Sequence, residues 1–220
     1  MNITCFLGSL LNLALAAGPD IVTQRVFGPE IPDPYKHPAS ITELINGDLY
    51  LVYYGGPGEY SDASTVYGAR LKKGAAKWSA PLAITPRPKE PQGNAVVWQA
   101  PNGIVWLFSV SRHGPTWSTS RIIVRTSADG AMTWTDPSSV TTEAGTMVRG
   151  KPIVLASGDY LLPIYHETGN DTELVGSDTT SLFLRYDVKT RRWTHSNRIR
   201  SRLGNLQPAV AALADTHLVC

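Results

Sequence analysis

Apolar and polar positions along this chain alternate in short bursts, and the bursts recur. The stretches "PASITELINGDLYLVYYGG" from Pro38, "NAVVWQAPNGIVWLFSV" from Asn94 and "KPIVLASGDYLLPIYHE" from Lys151 share one layout: a strand-like run, a turn with a glycine, a second strand-like run. The turn glycines are Gly47, Gly103 and Gly158, spaced 56 (103 − 47) and 55 (158 − 103) residues apart. A third apolar run follows each pair, at 64–71, 120–126 and 181–187, with Arg70, Arg125 and Arg185 near the run ends. Each repeat then passes through a polar turn to a tryptophan: Trp78, Trp134 and Trp193. A fourth copy starts with "QPAVAALADTHLVC" from Gln207.

Four short strands in about 56 residues are what one blade of a β-propeller needs, a four-stranded antiparallel meander packed face to face on its neighbours. The pattern predicts an all-β β-propeller of which about three and a half blades are present, starting near residues 35, 92, 149 and 205. Residues 19–34 form a lead-in, and 35–220 form the partial propeller domain. An unclosed set of blades exposes an apolar face and strand edges. The chain is therefore expected to be a fragment, or to be completed by further blades or a partner.

Composition supports this class. Nineteen glycines, 16 prolines, 6 tryptophans and 9 tyrosines among short Val/Ile/Leu runs favour strands and turns over long helices. Twenty basic and 18 acidic residues, without runs, leave a net charge of +2, which points to neither nucleic acid nor an anionic membrane. A glycan or small-sugar ligand fits such a surface better. The opening "MNITCFLGSLLNLALAAG", residues 1–18, reads as a signal peptide and predicts a secreted or extracellular protein. Its apolar run is too short to span a bilayer comfortably. Cys5 and Cys220 stand at opposite ends of the chain, and no structural disulfide is expected.

In a meander, the first-to-second and third-to-fourth turns share one end of the sheet. The glycine turns and the octet "SADGAMTW" (127–134) belong to that end, and its turns are short and alike. The other end carries long, varied loops: "YYGGPGEYSDA" (53–63), "VSRHGPTW" (110–117) and "YHETGNDTELVGSDTT" (165–180). Binding residues concentrate on loops held by a rigid scaffold, so function is expected there.

Ser127, Asp129, Thr133 and Trp134 match the Asp-box turn Ser-x-Asp-x-Gly-x-Thr-Trp, with Ala131 standing in place of its glycine. With the repeat layout, this turn makes residues 35–220 resemble the sialidase (neuraminidase) superfamily, in its BNR-repeat branch. The resemblance implies a six-bladed ring and exo-glycosidase activity on a terminal sugar, and it places Asp62 as general acid/base, with Glu59 as the nearby alternative. It also implies an arginine at the start of the first strand and a glutamate at the start of the fourth blade. His37 and Gln207 stand there instead. A histidine does not reproduce the guanidinium fork that grips a carboxylate, and a glutamine is no base. A non-catalytic carbohydrate-binding propeller is therefore the alternative reading. The resemblance puts the tyrosine nucleophile and two further arginines beyond Cys220.

Further candidates for the axial face are Asn94, Arg149 and Lys151 at the connections into inner strands, and His166 and Glu167 at a strand end. Tyr54 and Trp117 are candidates to stack on a sugar face, whereas Trp98 reads as core. The five histidines have no partners at metal-ligand spacing, and no phosphate-cradling loop is present, so neither metal nor other cofactor is expected.

Overall fold

The computed structural model of the chain describes residues 23–28, 33–85, 88–170, 176–215 and 217–220. The expected signal peptide and part of the lead-in lie outside them. The described residues form an all-β structure of antiparallel sheets, with one short 3-10 turn at Trp117–Thr119.

Strands β1 (Tyr35–Glu43), β2 (Leu49–Gly56), β3 (Thr65–Leu71) and β4 (Leu82–Ala83) pair in chain order as the first sheet. The second repeats the plan with β5 (Gln92–Gln99), β6 (Val105–Ser111), β7 (Arg121–Ser127) and β8 (Ser138–Ser139). In the third, the inner strand is split into β9 (Thr146–Val148) and β10 (Ile153–Val154), both paired with β11 (Tyr160–His166), which leads to β12 (Thr180–Asp187) and β13 (Arg192–His195). This third inner strand starts at Thr146, three residues before the expected 149. The fourth copy is a hairpin, β14 (Ala211–Ala214) with β15 (His217–Val219). The described sheets do not close a ring.

Strand alternation decides what lies between the sheets. Tyr50, Val52 and Tyr54 of β2 are buried, and Tyr50 meets Trp134 of the second sheet at 6.2 Å. On β6 the buried set is Trp106, Phe108 and Val110. Trp106 packs edge-on to Tyr186 at 5.1 Å, and Phe108 to Trp193 at 6.1 Å. Trp134 and Trp193 thus fill the gap toward the preceding sheet, where a large ring buries much apolar area. On the outer face of the first sheet the lead-in packs Phe27 on Tyr53 at 5.3 Å, and Asp33 accepts the Tyr67 hydroxyl at 2.6 Å.

The turn end is closed by carboxylates. In the second sheet Asp129 accepts from Ser127 Oγ (2.7 Å), Met132 N (3.0 Å), Thr133 N (2.9 Å) and Thr133 Oγ1 (2.6 Å). Gly130 and Ala131 there take left-handed φ values of 71° and 65°. The first and third sheets have no aspartate at that position of their outer turns, though Asp187 in the third accepts from Thr190 N at 2.8 Å. Asp48 and Asp159, each just after a turn glycine, do its work. Asp48 accepts from Lys73 N at 2.9 Å and pairs with Arg70 at 3.0 Å. Asp159 pairs with Arg185 and accepts from Val188 N at 3.2 Å. Ile104 occupies the matching position of the second sheet.

The three arginines are not equivalent. Arg70 pairs with Tyr50 and Arg185 with Leu161, each three residues past a turn glycine, whereas Trp106 at that position pairs with Thr126. Arg125 is one residue off, so it lies on the opposite face and donates to Thr85 Oγ1 of the first sheet at 2.6 Å.

A bulge repeats at the inner strands' opposite ends: the β1 register shifts between His37 and Ser40 and the β5 register between Gly93 and Val96, 56 residues on in both cases (93 − 37, 96 − 40). Bulges re-aim side chains. Val97 N donates to Ser40 Oγ at 3.2 Å, tying the first two inner strands together. Arg149 donates to the Ala39 carbonyl (3.3 Å) and Lys151 to that of Ile41, which brings the third inner strand within side-chain reach of the first.

Candidate functional site at the inner-strand end

At this end, polar side chains from all four sheets meet. Asn94, in the β5 bulge with φ 42°, donates to the Tyr165 hydroxyl at 3.1 Å, and the bond is buried. Gln207, φ 49°, approaches the same hydroxyl from the fourth copy and acts on it electrostatically. Left-handed backbone at non-glycine residues costs on the order of 1 kcal/mol or more and clusters at working sites. Glu167 and Arg149 act electrostatically on Tyr165, while Glu59 acts on Glu167. Glu59 in turn accepts the Tyr35 hydroxyl at 2.7 Å. The first sheet thus supplies Tyr35 and Glu59, the second Asn94, the third Tyr165, Glu167 and Arg149, and the fourth Gln207.

Electrostatics distinguish this cluster. Burial pushes the Tyr165 phenol well up, and the nearby Glu167 adds to the effect. Burial also raises the Glu167 carboxyl above the usual glutamate range, reinforced by the charge of Glu59. Tyr35 is pushed up to about 12 by burial and by its bond to Glu59. Tyr54 is fully buried at the end of β2, its phenol raised by burial. Its hydroxyl lies beside Tyr35 without hydrogen-bond geometry and has no partner among the described residues.

The expected residues divide between this cluster and its surroundings. Asn94, Arg149, Glu167 and Gln207 are in it. His37 is exposed on β1, with Tyr54 edge-on at 6.1 Å. Asp62 stands on the rim, its side chain 93% exposed and its carboxylate 3.2 Å from the buried Arg112, which also donates to the Tyr60 carbonyl at 2.8 Å. Lys151 is directed at the Ile41 carbonyl. His166 faces the other way, 3.3 Å from Glu143, which also pairs with Arg198 at 2.5 Å. Strand alternation separates it from its neighbour Tyr165. Trp117 is buried against Tyr54 (5.9 Å) and Tyr60 (5.4 Å), and Trp98 packs on Tyr160 at 4.9 Å. Among the described residues no group of three His, Cys, Asp or Glu side chains could hold a metal ion.

Sequence reasoning missed Tyr35 and Tyr165. A signal for Tyr165 was present: Tyr54 and Tyr165 each stand seven residues after a turn glycine (54 − 47, 165 − 158), the same place in two repeats.

The family model for the BNR repeat-like domain matches residues 47–220. Among solved structures, the Hadza microbial sialidase Hz136 superposes with a TM-score of 0.67 at 14% identity, over 83% of this chain and 40% of that one. A leech intramolecular trans-sialidase gives 0.69 at 12% identity, over 91% of this chain and 49% of the other. A Penicillium chrysogenum alpha-L-arabinanase gives 0.56 at 15% identity, over 83% and 56%. At these identities the likeness is one of fold. The chain spans about half the length of these structures or less than two thirds at most. No curated protein matches it by sequence.

Proposed function

The chain belongs to the BNR repeat-like domain family, and from that premise we propose that it forms part of a secreted, sialidase-like β-propeller whose hub binds and hydrolyses a terminal sugar. One observation carries the proposal: Tyr35, Glu59, Asn94, Tyr165, Glu167 and Gln207, contributed by four successive sheets, converge at the end bearing the varied loops. In a propeller that end is the mouth of the axis, and ligand sites lie where rigid elements gather polar groups in a concavity.

Hydrolysis of a glycoside needs a carboxyl that holds a proton near neutral pH and delivers it to the leaving oxygen. Burial and Glu59 disfavour the ionised form of Glu167, which is the direction that role requires. Asp62, the residue the resemblance selects, is exposed on the rim and paired with Arg112. We assign the donor role to Glu167, with Asp62 on the rim as the competing assignment.

A binding function without hydrolysis is the second reading. It is favoured by His37 and Gln207 at the two positions where the resemblance calls for arginine and glutamate.

The test is turnover of a panel of aryl glycosides, the sialoside included, by the full chain and by Glu167→Gln and Asp62→Asn. Hydrolysis lost by about a hundredfold or more in Glu167→Gln alone supports the assignment. The same loss in Asp62→Asn alone moves the role to Asp62. Glycan binding without turnover of any member favours the second reading.

A further inference from the structure

We propose that this part of the hub selects an uncharged sugar ring, with Glu59, Glu167 and the Tyr54 hydroxyl bonding its hydroxyl groups, and disfavours a sugar bearing a carboxylate. The inference rests on the reading of the hub as a sugar site and specifies the chemistry of its ligand.

Two observations carry it. The first is where the cations point. A sugar carboxylate is normally held by guanidinium or ammonium groups. Here Arg149 donates to the Ala39 carbonyl and Lys151 to the Ile41 carbonyl. Arg112 donates to the carbonyls of Tyr60 and Gly114 and pairs with Asp62. Each of these cations is directed at main chain or at a neighbouring acid. The carboxyl groups at the same end are Glu59 and Glu167, close enough to influence one another. A sugar carboxylate beside them would meet the charge of Glu59, whereas hydroxyl groups would find hydrogen-bond partners in both carboxyl groups.

The second observation is the Tyr54 hydroxyl. It is fully buried and unpartnered among the described residues, and it faces the Tyr35–Glu59 pair. Leaving a buried hydroxyl unpaired is unfavourable, and a ligand hydroxyl is the natural group to complete it. Tyr54 can both donate and accept, which suits a hydroxyl better than a carboxylate.

The experiment measures binding rather than turnover, so that it stands apart from the catalytic assignment. Calorimetric or NMR titration of the full chain compares a neutral methyl hexoside with the matching methyl uronide, which differ only in the C6 group. The expected result is tighter binding of the neutral sugar, by about tenfold or more, with the preference shrinking in Glu59→Gln, which removes one like charge. Tyr54→Phe, which keeps the ring and its packing, is expected to weaken the neutral sugar. Equal or tighter binding of the uronide overturns the proposal and leaves the hub as a sugar site. Failure of both sugars to bind, with glycans bound elsewhere or nowhere, overturns the sugar-site reading and this inference with it.

Discussion

The two ends of the sheets use carboxyl groups in opposite ways. At the turn end, Asp129 is held well below its ordinary range, chiefly by the Thr133 hydroxyl and amide and by Ser127. Asp159 is lowered by Arg185 and the Val188 amide, and Asp48 by the Lys73 amide with Arg70. At the inner-strand end, Glu167 is raised by burial and by Glu59, and the phenols of Tyr35, Tyr54 and Tyr165 are raised too. One end saturates its aspartates with hydrogen bonds from its own loops. The other leaves the Tyr54 hydroxyl buried without a partner among the described residues, which costs stability.

The largest effect is expected where packing joins the turn end to its neighbour. Trp106→Ala removes a buried ring in contact with Tyr160, Tyr186 and Trp193. Denaturant unfolding should show a loss of about 3–5 kcal/mol.

At the hub the sign should invert. Tyr54→Phe deletes a hydroxyl that is buried without a partner, and folding stability should rise by about 1 kcal/mol while affinity for a neutral sugar falls. Tyr53→Phe removes the other such phenol, on the face toward Phe27, and should stabilise similarly with sugar binding intact. If both variants lose stability, these two hydroxyls are paired after all and the contrast between the ends fails.

Stability as a function of pH sharpens the same contrast. Asp159 has a folded value below its ordinary 3.8, so its contribution is complete above that value and is lost as pH falls through the lower folded one. Asp159→Asn should therefore cost stability at neutral pH, with the deficit closing in acid. Glu167 has a folded value above its ordinary 4.5, so the native state favours the proton and stability declines as pH rises from there through the raised value. Glu167→Gln should gain on the parent over that window. Thermal melts of both variants from pH 3 to 7 read the two slopes, and parallel slopes would contradict the difference between the ends.

The smallest effect is expected at His166, whose partner Glu143 is half exposed and also held by Arg198. His166→Gln should change stability by no more than about 0.5 kcal/mol and leave sugar binding as it was. A loss of binding would move His166 into the hub.

Much of the architecture was legible because it repeats. The recurrence of Gly47, Gly103 and Gly158 marked the hairpin of first and second strands in each sheet, and a glycine with positive φ is what those turns require. The octet at 127–134 read correctly as a turn, its aspartate bonded to its own loop. Register was less legible. Arg125 looked like the counterpart of Arg70 and Arg185, yet a shift of one residue put it on the other face. Of the residues expected at the inner-strand end, Asn94, Arg149, Glu167 and Gln207 lie in the polar cluster there. Tyr165 was passed over as a strand residue, and Lys151 and His166 were placed by proximity in sequence, which does not say where a side chain points.

The sequence by itself determined the class of fold, the period, and which end of each sheet is uniform, because turn chemistry and strand alternation are local properties written in neighbouring residues. Only the tertiary structure decided which charges gather at the inner-strand end. That Arg149 meets the carbonyl of Ala39, and that the charge of Glu59 disfavours the ionised form of Glu167, depends on groups roughly 110 residues distant, brought together by sheet packing and by nothing nearby in the chain.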